Sequence, residues 1–149
     1  MELLLKDSYF HQVPPKSTGR ELFNLDWLAR VMLPYSTFDT AISPATVQST
    51  LCQLTASSIA LDIERYAPTI NAIYLCGGGA HNQTLNKRLQ QLLPDRSIQT
   101  TKMLGIAPDW VEAVAFAWLA RQTLEHCPGN LPEVTGAKGV RILGGIYSA

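Results

Sequence analysis

An α/β fold is the class this sequence predicts, and three observations along residues 70–102 predict it. Residues 70–76 are an apolar run without alternation, the pattern of a strand buried on both faces. The run ends in Gly77-Gly78-Gly79, and residues 83–93 then carry Leu85, Leu89, Leu92 and Leu93 at helical spacing, with Lys87, Arg88 and Gln91 outward. After the turn at Pro94-Asp95, residues 97–102 read as a second strand, polar enough for a place at or near a sheet edge. Strand, glycine turn, helix, strand is a βαβ unit, so these strands are expected to be parallel.

The glycine turn is where chemistry is expected. Three residues without a Cβ let the backbone turn sharply and approach a ligand closely. Asn82 is a good N-cap, and the helix behind it aims free N–H groups and a positive dipole end at the glycines. Anionic and nucleotide ligands bind at such junctions, beyond the carboxyl end of a strand. Gly77-x-Gly79-x-x-Asn82 lacks the third glycine of a dinucleotide fingerprint, and no Gly-Lys-Ser/Thr follows it. On local pattern alone, a tight βα turn with no ligand is the alternative.

The other elements follow in chain order. Residues 1–20 are expected to be irregular, because Pro14 and Pro15 lack N–H groups and restrict their predecessors. Lys16, Ser17, Thr18 and Arg20 around Gly19 have the chemistry to hold a phosphate; a solvated loop is the simpler reading. Residues 21–33 read as a helix, with Leu22, Leu25, Leu28 and Ala29 on one face and Pro34 as its end. Ser43-Pro44 is a strong helix start, and Ala67-Pro68 stops that helix after Tyr66. Val47, Leu51, Leu54, Ser58 and Leu61 share one face, widened by Ile59 and Ile63. Its many small and hydroxyl residues predict close packing against other backbone. Residues 110–120 are apolar on every side except for Glu112, which predicts a buried helix with one carboxylate in its first turn, at the wall of a cleft. Asp109-x-x-Glu112 also spells a capping box, and the two roles are compatible. Residues 140–142 and 146–147 read as one strand interrupted or ended by Gly144-Gly145.

Length and composition bound the function. A chain of 149 residues has room for one domain with a real core, burying about 68–70% of its unfolded surface. Hydrophobic residues make up 46% and charged residues 16%, a globular balance. Acidic and basic residues number 12 each, so no bulk field draws nucleic acid or an anionic membrane. The apolar start at Leu3-Leu4-Leu5 is too short for a signal peptide, and no run is long enough to span a bilayer. Cys52, Cys76 and Cys127 are odd in number and widely spaced, which argues against a disulfide framework or a zinc site. A cytoplasmic protein is expected, with no nucleic acid and no membrane among its partners.

Four strings resemble segments of the anhydro-N-acetylmuramic acid kinases, in that family's order. They are Pro15-Lys16-Ser17-Thr18-Gly19-Arg20-Glu21-x-Phe23-Asn24-x-x-Trp27-Leu28, then Cys76-Gly77-Gly78-Gly79-Ala80-His81-Asn82, then Gly105-Ile106-x-x-Asp109-x-x-Glu112-Ala113-x-Ala115-Phe116-Ala117-Trp118-Leu119-Ala120, and Gly129-Asn130-Leu131-Pro132-x-Val134-Thr135-Gly136-Ala137. The resemblance covers the chain almost from end to end and corresponds to the C-terminal part of the family's length. It implies an enzyme that uses ATP and water to open the 1,6-anhydro ring of anhydro-N-acetylmuramic acid, giving N-acetylmuramic acid 6-phosphate in peptidoglycan recycling. It also implies one lobe of the two-lobed hexokinase, Hsp70 and actin fold (ribonuclease H-like, a mixed sheet with packed helices). Residues 1–149 would then be a single C-terminal nucleotide-binding lobe, with a lead-in over 1–20, helices over 21–66 and a sheet with helices over 70–149.

By the same resemblance Gly77, Gly78, Gly79 and Asn82 contact the nucleotide, and Glu112 is a candidate contact to sugar or water. Magnesium would arrive with ATP. The family's Gly-Thr-Ser-x-Asp-Gly phosphate loop and its catalytic aspartate have no counterpart in this sequence. Phosphoryl transfer needs such phosphate donors, a metal and a base. Three readings follow: a kinase lobe inactive alone that needs a separate N-terminal lobe, a nucleotide- or sugar-binding module without chemistry, or an inert remnant. Dimerisation stays open.

Overall fold

The computed structural model describes residues 1–35 and 42–147. It is a mixed α/β structure, mostly helical, with a two-stranded parallel sheet among the described residues. The chain divides into two compact units. The first comprises Met1–Gln12, Thr18–Ile73 and Asn82–Ile98; the second comprises Val13–Ser17, Tyr74–His81 and Gln99–Ala149.

The first unit begins with more order than the prolines foretell. Helix α1 (Glu2–Leu5) and a 3-10 turn at Ser8–His11 precede them, because Leu4 and Phe10 have a core to join. Leu4, Trp27 and Leu54 form that core, with Leu5, Phe10, Phe23, Leu28, Val31 and Leu51 packed around it. Phe10, Phe23 and Trp27 stack or meet edge to face at centroid distances of 5.3 and 4.9 Å. The Trp27 indole N–H donates to Asp7 at 2.9 Å, so the ring is buried without stranding its polar atom.

Helix α2 (Leu25–Met32) starts four residues later than the apolar pattern predicts. Asn24 caps it, its side chain accepting from the Trp27 N–H at 2.9 Å, and residues 21–24 form turns instead. Helix α3 (Pro44–Tyr66) has the expected bounds, capped by the Ser43 hydroxyl at 3.1 Å from the Thr46 N–H. Its buried stripe, however, runs through Leu54, Ala56 and Ala60, while Ile59 and Leu61 are exposed. This helix packs against α4 (Gln83–Leu92). From α4 and its end, Leu89 and Leu93 are the most deeply buried large side chains; Leu92, expected inward, is exposed. Strands β1 (Ala72–Leu75) and β2 (Ser97–Thr100) flank α4 in sequence, which is the predicted βαβ order.

Two expectations of burial fail. β1 is only half-buried, with Tyr74 exposed, because the sheet among the described residues has two strands and so leaves a face and an edge open. Helix α5 (Val111–Leu124) carries the all-round apolar segment, yet Val114, Phe116, Trp118 and Leu124 are exposed; only Val111, Leu119, Gln122 and Thr123 are partly covered. Periodicity says that such a helix needs cover, and the described residues lay no second layer over it. The strand predicted over residues 140–147 does not form either. One backbone bond, from the Gly129 N–H to the Arg141 carbonyl at 3.0 Å, holds this segment where a strand would need a ladder. A short helix, α6 (Pro132–Thr135), ends at Gly136, whose φ of 71° suits glycine.

Candidate nucleotide site

The glycine turn lies in the second unit. Gly77 turns the chain out of β1 with a φ of 66°, in the left-handed region where a Cβ is strained. Residues Gly78–His81 follow as one 3-10 turn, closed by the Ala80 N–H donating to the Gly77 carbonyl at 3.0 Å. Ala80 is buried beneath it. Among the described residues, chain neighbours aside, a Cβ built on Gly77, Gly78 or Gly79 would meet nothing within 4 Å. Crowding inside the protein therefore does not demand glycine at Gly78 and Gly79; the space over their backbone is open to a ligand, as a nucleotide would need.

The turn is fastened at both ends to one dipeptide. The Gly77 N–H donates to the Pro108 carbonyl at 3.0 Å, and the His81 Nε2 lies 2.7 Å from the Asp109 carboxylate. Pro108 is buried, whereas the His81 and Asp109 side chains are 62% and 65% exposed. Residues Pro108–Trp110 form a 3-10 turn leading directly into α5. Glu112 is therefore in the first turn of α5, exposed, three residues beyond the histidine's partner. The capping box spelled by Asp109-x-x-Glu112 is not made. Trp110 precedes the helix with helical dihedrals and no side-chain cap, and Asp109 instead pairs with His81.

Asn82 does what an N-cap should, its side-chain oxygen accepting from the Leu85 N–H at 3.0 Å. It belongs with α4 in the first unit, whereas Gly77, Gly78, Gly79 and Glu112 belong to the second. The structure thus gathers the three glycines into one turn and leads the chain from its partner, Pro108-Asp109, to Glu112. The His81–Asp109 pair escaped the sequence analysis because 28 residues separate its members, although each stands in one of the strings that carry the family resemblance.

The loop at Thr18–Arg20 offers less to a ligand than its composition implies. The Gly19 N–H donates to the Glu21 carboxylate at 2.6 Å, and the Thr18 hydroxyl reaches the same oxygen at 3.5 Å. These donors already hold an anion from the chain itself. They add to Glu21's own backbone N–H, the largest cause, in holding its carboxyl below the ordinary range. Arg20 is exposed and lines a cleft of about 750 Å³ in the first unit with Phe10, Phe23 and Trp27.

A second cleft of the first unit, about 640 Å³ between α3 and α4, is lined by Ser49, Cys52, Asn82 and Arg88. Its arginine is engaged, donating to the Ser49 carbonyl and, at 2.7 Å, to the Ser49 hydroxyl. Among the described residues no three His, Cys, Asp or Glu side chains converge as a metal site. No helix among them is long and apolar enough to cross a membrane.

Comparison with known proteins adds identity to this geometry. The chain is 58% identical to the anhydro-N-acetylmuramic acid kinase of Nitrosomonas europaea over 149 residues, covering 100% of this chain and 39% of that protein. It is 48% identical to the same kinase of Pseudomonas syringae pv. syringae, over 100% of this chain and 40% of the relative. For the kinase of Coxiella burnetii the identity is 51% over 144 residues, 97% of this chain and 37% of the relative. The chain therefore spans about two fifths of the length of these curated relatives. The family model described as anhydro-N-acetylmuramic acid kinase matches residues 1–149, and the chain belongs to that family.

Proposed function

We propose that residues 1–149 are the C-terminal nucleotide-binding lobe of a cytoplasmic, ATP-dependent kinase of the hexokinase, Hsp70 and actin fold. The kinase opens 1,6-anhydro-N-acetylmuramic acid with water and phosphorylates it, giving N-acetylmuramic acid 6-phosphate. The observation that carries this reading is the open backbone of Gly78 and Gly79 in a chain that matches the family over its whole length. In this role the turn Gly77–Gly79 lies against the adenosine and α-phosphate, Asn82 caps the helix that follows in sequence, and Glu112 reaches sugar or bound water. Phosphoryl transfer rests on positioning and on charge stabilisation, so this chain supplies the nucleoside side. Magnesium enters on the nucleotide, with its phosphates as ligands.

The phosphate loop and the base toward water belong to the family's remaining three fifths, which this reading makes the partner lobe. The exposed apolar side chains of α5 support such a partner, since patches of this kind mark surfaces that another chain segment covers. The chain alone is then inactive as a kinase.

Calorimetry with ATP and ADP on the purified chain, beside a Gly78→Val variant, tests the nucleotide role. Gly78 has no positive φ and free space at its Cβ, so valine leaves the fold intact while obstructing the ligand's approach. Affinity is expected to fall by about tenfold or more, equivalent to about 1.4 kcal/mol. Equal affinity in the two proteins would overturn the assignment of the turn. Adding a family N-terminal lobe should then give phosphorylated sugar; nucleotide binding without any such gain would favour the binding module instead.

A further inference from the structure

We propose that His81 and Asp109 are a positioning pair that sets the shape of the glycine turn. Both ends of the turn meet consecutive residues: Gly77 donates its N–H to Pro108, and His81 pairs with Asp109 at 2.7 Å. Between these two ties no atom of the described residues, chain neighbours aside, lies within 4 Å of a Cβ position on Gly78 or Gly79, so no side chain holds these two residues in place. Apart from buried Ala80, the ties that fix the turn are at its ends. One end is a backbone bond that no side-chain change removes; the other is the His81–Asp109 side-chain hydrogen bond. The same Asp109 is the middle residue of the 3-10 turn before α5, so the pair also ties the glycine turn to the residues that precede Glu112.

The exposure of the pair decides what kind of effect to expect. A side-chain pair this open to solvent contributes little to global stability. Its effect is local, in how often the turn opens. As a device for ligand binding the proposal rests on the nucleotide reading above, and the test separates the two.

Amide hydrogen exchange at Gly77 and Ala80, followed by NMR, is measured for the native chain, His81→Ala, Asp109→Ala, the double variant and Asp109→Asn. Each single alanine variant should exchange about three- to fivefold faster at both amides, with thermal unfolding unchanged. The double variant should exchange no faster than either single, since one bond is lost in all three. Asp109→Asn, which still accepts from the imidazole, should stay near native. Native exchange in either single variant, or an effect in the double equal to the product of the singles, overturns the proposal. ADP affinity should weaken in the same order, and native affinity in both singles also overturns it. If the native chain binds no ADP, the nucleotide reading fails, and the exchange pattern by itself decides whether the pair sets the turn.

Discussion

Helices α3 and α5 are alike in one respect and opposite in another. Neither has a clean apolar stripe beside a polar one. In α3 small and hydroxyl residues interrupt the apolar face; in α5 every position from Val111 to Ala120 except Glu112 is apolar. Yet α3 buries Leu54, Ala56 and Ala60 within its unit, Ala56 to 0% exposure, while α5 leaves Phe116 71% and Trp118 50% exposed. Hydrophobic content measures how much cover a helix needs, and the size of its side chains decides how closely a neighbour can lie. Ala56 and Ala60 are buried with little bulk to cover. Phe116 and Trp118 would need a broad opposing layer.

Core substitution should cost most on the α3–α4 side. Leu89→Ala removes a side chain that is 2% exposed and should cost about 2–5 kcal/mol of unfolding free energy through lost transfer and a residual cavity. Phe116→Ala, by the same chemistry at a larger residue, should change the isolated chain by less than about 0.5 kcal/mol. Chemical denaturation of the two variants checks both. Equal losses would mean that α5 is as well packed as α4, and the comparison would collapse. If a family N-terminal lobe covers α5, adding it should make Phe116→Ala costly while leaving Leu89→Ala as it was.

Caps come next. Ser43→Ala and Asn82→Ala each remove an acceptor for an amide at the start of a helix, Thr46 and Leu85 respectively. Each should cost about 1 kcal/mol in the same denaturation measurement. Values near zero would mean that water replaces the caps.

These features also show what could be read in advance. The bounds of α3 and the start of α4 were legible because their signals are local: Ser43-Pro44, Ala67-Pro68 and Asn82 act within one turn of themselves. The start of α2 was misplaced because Leu22 continues the apolar spacing upstream of Asn24, and spacing does not show which capping residue the chain uses. The burial of β1 and α5 was misjudged for a different reason. Composition states a demand, and the supply depends on layers that no local pattern reveals. At the candidate site the glycines stood out because three in a row are rare in chemistry and position alike. His81 and Asp109 did not, since a contact between residues 28 apart is made by the fold.

The smallest effect concerns Glu21, and its sign follows from linkage. Backbone N–H groups of Glu21 and Gly19 favour the ionised carboxylate and hold its pKa below the ordinary value of 4.5, with a weaker contribution from the Thr18 hydroxyl. A depressed carboxylate contributes stability that is fully present above its unfolded pKa and is lost as pH falls through the folded one. The Thr18–Glu21 loop should therefore be equally ordered from neutral pH down to about pH 5 and loosen only in more acidic solution. The Gly19 amide shift, followed by NMR against pH, reports this directly: its midpoint should lie below that of an unstructured glutamate. Glu21→Gln should remove the titration while leaving global unfolding almost unchanged, because the carboxylate is fully exposed to solvent. A midpoint at or above the unstructured value would mean that the Gly19 and Thr18 donors are free in solution. The loop would then be available to an external anion, and the difference between it and the open glycine turn would disappear.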